Sequence, residues 1–378
     1  MKMKILSIGL DKNILIKDSI SQKRQIEYGA LFDETHIIIF NKRDTNNAND
    51  IRMIRIANNV FLYPTDSKNR WFYLFDGYKI AKSILKENKI SVITTQDPFE
   101  TGLLGWILKK KFKIPLLIQV HAELPFRYFA FESFLNFFRW FLALFLIPKA
   151  DRLRVVSLRI KDYIIQKLSY PAEKIDVLPI LVDIEKLKQK EEFDIKQKYP
   201  GFDFYFLTLS RLAKVKNIPL QLKALSKLKQ KYPKFLLIIV GDGPERKKLE
   251  KLVLKLNLKE NVVFEGWQRD IVSYLKSADC LLFSSNYEGY GMAIIEALSF
   301  GLPVIATKVG VAPEVIENGK NGFLVEVENE KEYLQALEKI IENPLKGNNS
   351  LLFKKLPTKE EYLKRYKEIF MNAMPIYE

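Results

Sequence analysis

Short apolar runs alternate along this chain with longer stretches in which apolar positions recur every three or four residues. That is the pattern of strands alternating with helices, and so of parallel sheets built from strand–helix–strand units. In the first half the spacing predicts strands at 5–8, 36–40, 91–95, 115–120, 152–156 and 176–178. A second series follows at 204–209, 235–240, 261–264, 280–284, 303–306 and 323–325. Between them the polar stretch 183–199, rich in Lys, Glu and Gln, carries the crossing. The expected architecture is α/β with two Rossmann-like domains, 1–182 and 183–358, and a final helix over 359–373.

Composition fits this picture. A chain of 378 residues, 48% hydrophobic and 28% charged, is long enough for two cored domains. Sixty-one basic residues against forty-five acidic ones leave a net charge of +16, which favours anionic partners. The single cysteine, Cys280, excludes an internal disulfide, and the two histidines and one cysteine form no zinc motif. Residues 4–9 enter a strand pattern directly, without the apolar segment and cleavage site of a signal peptide, so a cytoplasmic location is expected.

Most of the chemistry is concentrated in the run Glu288-Gly-Tyr-Gly-Met-Ala-Ile-Ile-Glu296, a glycine-rich turn opening into a helix near Met292. Gly289 and Gly291 can take positive φ and admit a ligand to the backbone. The first helical turn offers N–H groups to an anion. Glu288 and Glu296 are within about 12 Å along a helix axis, a span suited to the hydroxyls at two ends of a nucleotide sugar. Ser210-Arg211 and Lys216 form a cationic turn after one predicted strand, able to clamp a diphosphate. Gly241-Asp-Gly-Pro makes a tight turn after the next. Alone, a basic loop is more often solvated surface and Gly-Asp-Gly-Pro is usually just a turn. Together they fall at the carboxyl ends of successive strands, where open α/β sheets bind ligands.

These residues, with Val240 to Arg246, Ala297-Leu298, Gly301-x-Pro303-Val304-Ile305 and Asn318 to Val325, resemble the retaining glycosyltransferases of family 4, which have the GT-B fold. The likeness is dense over 203–330 and thin in the first half. It implies two Rossmann-like domains facing each other across a cleft, the first binding acceptor and the second a UDP- or GDP-linked sugar. It also implies that the last helix packs back on the first domain. Arg211 and Lys216 would hold the donor diphosphate, Glu288 and the backbone of Gly289, Tyr290, Gly291 and Met292 the sugar and phosphates, and Glu296 the ribose. Gly241 would line the donor loop and Trp267 would lie beside the nucleobase. His121, at a strand end, would lie by the donor sugar. Gly9 stands alone where many members carry a Gly-Gly pair, and Lys12, Lys17 or Arg24 could supply charge there.

The implied chemistry is front-face transfer with retention, needing no metal or cofactor because two cations and a helix amino terminus face the leaving diphosphate. Asp97 and Glu100 fit either acceptor contact or helix capping. The aromatic stretch 124–148 is either a core helix or an interfacial one meeting anionic lipid at the inner membrane face, which would suit a lipid-linked acceptor. Two other classes remain at this point, a GT-B sugar-nucleotide epimerase and a basic nucleic-acid-binding protein. No nucleic-acid motif accompanies the charge, so none is expected as partner.

Overall fold

The computed structural model describes residues 3–43, 53–121, 129–130, 133–182, 193–345 and 356–374. The chain divides into two compact units, one of residues 1–179 with 360–378 and one of residues 180–359. The change of unit after Pro179 comes three residues before the boundary expected from sequence at the start of the polar stretch 183–199, whose residues 183–192 lie outside the described residues.

The first unit holds an eight-stranded sheet, β1 (Lys4–Gly9), β2 (Glu34–Ile39), β3 (Ile54–Ala57), β4 (Val60–Pro64), β5 (Val92–Thr95), β6 (Leu116–Val120), β7 (Arg152–Val155) and β8 (Ile175–Val177). Its order is β3-β4-β2-β1-β5-β6-β7-β8, parallel except for the β3–β4 hairpin at the edge. The order reverses at β1, the switch point of a doubly wound sheet. Connections β4→β5, β5→β6 and β6→β7 carry the helices Tyr73–Glu87, Glu100–Phe112 and Phe134–Leu146. The closing helix Lys359–Ala373 buries Tyr362, Tyr366, Ile369, Phe370 and Ala373, positions that share one helical face. Tyr366 stacks on Tyr28 with ring centroids 4.5 Å apart, and Phe370 lies 4.9 Å from Phe32.

The second unit is a six-stranded, wholly parallel sheet, β9 (Phe204–Leu209), β10 (Phe235–Val240), β11 (Val262–Gly266), β12 (Cys280–Phe283), β13 (Val304–Thr307) and β14 (Gly322–Val325), in the order β11-β10-β9-β12-β13-β14. Strands such as Phe-Tyr-Phe-Leu-Thr-Leu and Phe-Leu-Leu-Ile-Ile-Val are almost continuously apolar because helices cover both faces. One core joins Phe206, Leu237 and Ile239 to Leu222, Leu225, Leu337 and Tyr333 from the helices. Here the switch lies between β9 and β12, and the loops leaving those two strands carry the cations and carboxylates.

Candidate active site

The loops after β9 and β12 are fastened by buried polar side chains. Thr208 Oγ1 donates to Gln221 Oε1 (2.7 Å), and Gln221 Nε2 donates to Ser284 Oγ (2.8 Å). Ser284 Oγ lies 2.8 Å and 3.0 Å from the carbonyl oxygens of Lys216 and Asn217. Asn217, left-handed at φ +44°, caps the chain into the helix Ile218–Leu228 and donates from Nδ2 to Asn286 Oδ1 (2.9 Å). This scaffold brings Lys216 Nζ into an ion pair with Glu288 Oε1, which also accepts from Ser285 Oγ at 2.9 Å. Both members of the pair are mostly buried, with 22% and 15% of their side-chain surfaces exposed.

The glycine turn after Glu288 opens into the helix Met292–Ser299, capped by Gly291 at φ +95°. Gly289 is not among the left-handed glycines of the described residues, so only the second glycine of the turn uses the conformation expected of both. Tyr290 is buried, and its carbonyl accepts from Val311 N (2.7 Å). Gly310 presses against this turn, where a Cβ would stand 2.4 Å from the Tyr290 oxygen and 3.1 Å from Glu288 Cβ. Met292 is exposed, and Glu296 is half-buried four residues further along the helix.

On the other side of β9, the turn after β10 packs backbone to backbone. A Cβ on Gly241 would stand 1.9 Å from the Ser210 carbonyl oxygen, at φ +133°. Leu212 N donates to Asp242 O (3.0 Å), and Gly241 N to Gly266 O (2.7 Å). The loops after β9, β10 and β11 thereby form one edge, with Arg211 exposed on the first and Trp267 74% exposed on the third. Thus Arg211, Lys216, Gly241, Glu288 and the 289–292 turn gather along the carboxyl ends of neighbouring strands. By contrast, Asn318 to Asn321 lie at the amino end of β14, where Asn321 Nδ2 donates to Val315 O (2.9 Å); that motif shapes a turn.

In the first unit Gly9 ends β1, buried, with a Cβ position 3.1 Å from Gln96 Cγ. Asp11 caps the short helix that follows and lies 3.9 Å from Arg24. His121 follows β6, its Nε2 buried and without a hydrogen-bond partner among the described residues. Burial, with the nearby charges of Arg154 and Arg24, pushes its imidazole down to about 3, so it is neutral at neutral pH. Asp97 Oδ1 accepts from Phe99 N (2.8 Å) in the turn before the next helix, and burial pushes its carboxyl up to about 6. Glu100 is held by Arg139 through Nε and Nη2 at 2.7–3.1 Å. Sequence reasoning missed Gln221, Ser284, Ser285 and Gly310. The first three are polar residues within or just after apolar runs, which is a signal for a buried hydrogen-bond partner.

Two family descriptions match the chain, glycosyltransferase family 4 over residues 33–186 and glycosyl transferases group 1 over residues 189–352. This chain is a family 4, group 1 glycosyltransferase. Among curated relatives, this glycosyltransferase is 30% identical over 274 residues to an Escherichia coli UDP-Gal:alpha-D-GlcNAc-diphosphoundecaprenol alpha-1,3-galactosyltransferase, covering 69% of this chain and 68% of that one. It is 32% identical over 205 residues, 54% of each chain, to a Campylobacter jejuni N-acetylgalactosamine-N,N'-diacetylbacillosaminyl-diphospho-undecaprenol 4-alpha-N-acetylgalactosaminyltransferase. The chain therefore spans about two thirds of the first relative and about half of the second. Among solved structures, Anabaena Alr3699/HepE in complex with UDP superposes with a TM-score of 0.68 at 21% identity, over 98% of this chain and 96% of that one. The fold of this glycosyltransferase is GT-B.

Proposed function

We propose that this glycosyltransferase moves a hexosyl unit from a UDP- or GDP-sugar to a lipid-linked or sugar acceptor in cell-surface glycan synthesis, with retention and without a metal. The second unit would hold the donor and the first the acceptor. The observation that carries the reading is the Lys216–Glu288 pair, set beside a glycine-capped helix amino terminus at the switch of a doubly wound sheet. An incoming diphosphate competes with Glu288 for Lys216. Lys216, Arg211 and the N–H groups at Met292 then meet the phosphates, and the released Glu288 carboxylate accepts from sugar hydroxyls.

In the transfer the C1–oxygen bond to the β-phosphate breaks and its electron pair leaves with the nucleoside diphosphate. The acceptor oxygen bonds C1 from the same face, and its proton passes to the departing phosphate oxygen. The developing negative charge falls on Lys216, Arg211 and the helix terminus. His121 of the first unit, neutral at neutral pH, would act as a hydrogen-bonding group rather than as a cation. Glu296 and Trp267 would bind ribose and base. The two diphosphoundecaprenol-specific relatives support a lipid-linked acceptor. The helix Phe134–Leu146 supports peripheral contact with an anionic membrane at the cytoplasmic face: Phe134, Phe138, Phe141 and Phe145 are exposed, while Ala143 and Leu146 are buried. Residues 124–128 and 131–132 of the aromatic stretch lie outside the described residues, and no described helix is long and apolar enough to cross a membrane. Proton NMR of the product made from an α-linked UDP-hexose tests the chemistry. An α-glycoside is expected, and a β-glycoside would contradict front-face transfer.

A further inference from the structure

Exposed aromatic side chains are not scattered over the described residues. Apart from Phe193 and Trp267, they lie in two groups, Trp71, Phe72 and Phe75 and the stripe Phe134, Phe138, Phe141 and Phe145. The first group opens the helix Tyr73–Glu87, and the second runs along Phe134–Leu146 with the 4, 3, 4 spacing of one helical face. Between these helices packs Glu100–Phe112. It meets the first where a Cβ on Gly77 would stand 2.9 Å from Leu104 Cδ2. It meets the second where Gly102 faces Leu146 and where Trp106 meets Phe145 edge-on at 5.3 Å. All three helices cover the same face of the sheet, since each belongs to a successive crossover in one direction from β4 to β7. Their outward surfaces form one layer.

The charge on that layer is one-sided. The three helices carry seven basic residues against three acidic ones. Glu100 pairs with Arg139 and Lys109 with Asp151, and Asp76 accepts from Ser67 Oγ (2.6 Å) of the preceding loop. The lysines accompany the aromatics, with Lys79 Nζ 4.2 Å from the Phe75 ring centre, Lys110 4.6 Å from Trp106 and Lys149 5.6 Å from Phe145. Aromatic rings beside lysines whose stems lie along apolar surface are the chemistry of a lipid–water interface. A second copy of this chain fits poorly on a cationic face of a molecule with net charge +16.

We infer that Trp71, Phe72 and Phe75 form a second membrane anchor, which with the Phe134–Phe145 stripe flanks the exposed Lys110 and Lys111, so that the three-helix layer lies flat on a bilayer containing anionic lipid. The inference rests on the membrane reading above and adds to it a second point of attachment. Two anchors separated by a helix fix the tilt of the first unit on the bilayer, which one stripe alone leaves free.

The test uses the full chain with phosphatidylcholine vesicles, with and without phosphatidylglycerol. Trp71 is 91% exposed, so Trp71→Ala and Phe75→Ser should leave the melting temperature unchanged while lowering partitioning into anionic vesicles about tenfold. Lys79→Glu should weaken binding about fivefold or more on anionic vesicles only. With Trp106, Trp140 and Trp267 all replaced by Phe, Trp71 is the one tryptophan of the chain, and its fluorescence should shift blue on vesicle addition and be quenched by brominated lipid. If Trp71→Ala and Phe75→Ser bind as wild type while Phe138→Ser with Phe141→Ser does not, the second anchor is wrong and the membrane reading stands. If wild-type protein fails to float with anionic vesicles at low salt, both fall. Concentration-dependent dimerisation without flotation would likewise overturn both and assign the layer to a protein interface.

Discussion

Replacing Lys216 by Ala should separate a donor-binding role from a structural one. In the unliganded protein Lys216 pairs with Glu288, whose carboxylate keeps its bond to Ser285 Oγ after the substitution. Because the pair is mostly buried, leaving that carboxylate without its cation should cost about 1–3 kcal/mol, a shift of roughly 2–12 °C for a unit of this size. Removing a charge-assisted contact to diphosphate costs about 1.5–3 kcal/mol, or roughly 10–150-fold in affinity. Calorimetric titration with UDP and GDP, beside thermal melts without ligand, reads the two effects separately. The expected result is a loss of nucleoside diphosphate affinity in that range, with a cooperative melt lowered by no more than that stability cost. Glu288→Gln keeps the Ser285 hydrogen bond but weakens the grip on sugar hydroxyls, so it should lower affinity for the sugar nucleotide more than for the bare diphosphate. Undiminished diphosphate affinity in Lys216→Ala would make the pair a purely structural link between two loops.

Gly241→Ala forces a Cβ to within 1.9 Å of the Ser210 carbonyl at a backbone angle that L residues rarely adopt, and should cost at least about 2 kcal/mol, seen as a lower melting temperature. Burial raises the Asp97 carboxyl from 3.8 to about 6, so the folded state holds this proton more tightly than the unfolded one; its contribution to stability is lost as pH rises from about 4 to 6, and Asp97→Asn should remove that slope in denaturant titrations. His121 has the opposite sign: with its imidazole depressed from 6.5 to about 3, its contribution is lost as pH falls below about 6.5, and His121→Gln should flatten that limb. Turnover should be unchanged by EDTA, since the charge on the leaving group is met by Arg211, Lys216 and a helix terminus; strict dependence on a divalent cation would contradict this.

The second unit was more legible in the sequence than the first, and its strands show why. β9 and β10 match their predicted bounds because central parallel strands are covered on both faces and read as unbroken apolar runs. The hairpin of β3 and β4 was missed although Asn58-Asn59 between two β-branched runs is a turn signal. It is an edge element with Arg55 exposed, and its pattern is weaker. Lys216 and Glu288 could be picked out as charged groups after strands, but their pairing depends on Gln221 and Ser284, which act across 63 residues of sequence. Gly310 carries no local mark at all; its need for a bare Cα comes from the Tyr290 carbonyl that folding places against it. Likewise, the aromatic content of 134–145 was plain, whereas its continuation to Trp71 and Phe75 exists only once three helices lie side by side.

Donor binding at this edge is read directly by a thermal-unfolding panel of wild type and an Arg211→Ala, Lys216→Ala double variant against UDP-, GDP- and ADP-sugars. A ligand at about a hundred times its dissociation constant adds about 2.7 kcal/mol of stability, or roughly 5–10 °C here. Wild type should show such a shift with a UDP- or GDP-hexose, and the double variant should lose it. Absence of any shift in wild type across the panel, or an equal shift in the double variant, would contradict donor binding at the edge formed by Arg211, Lys216 and Glu288.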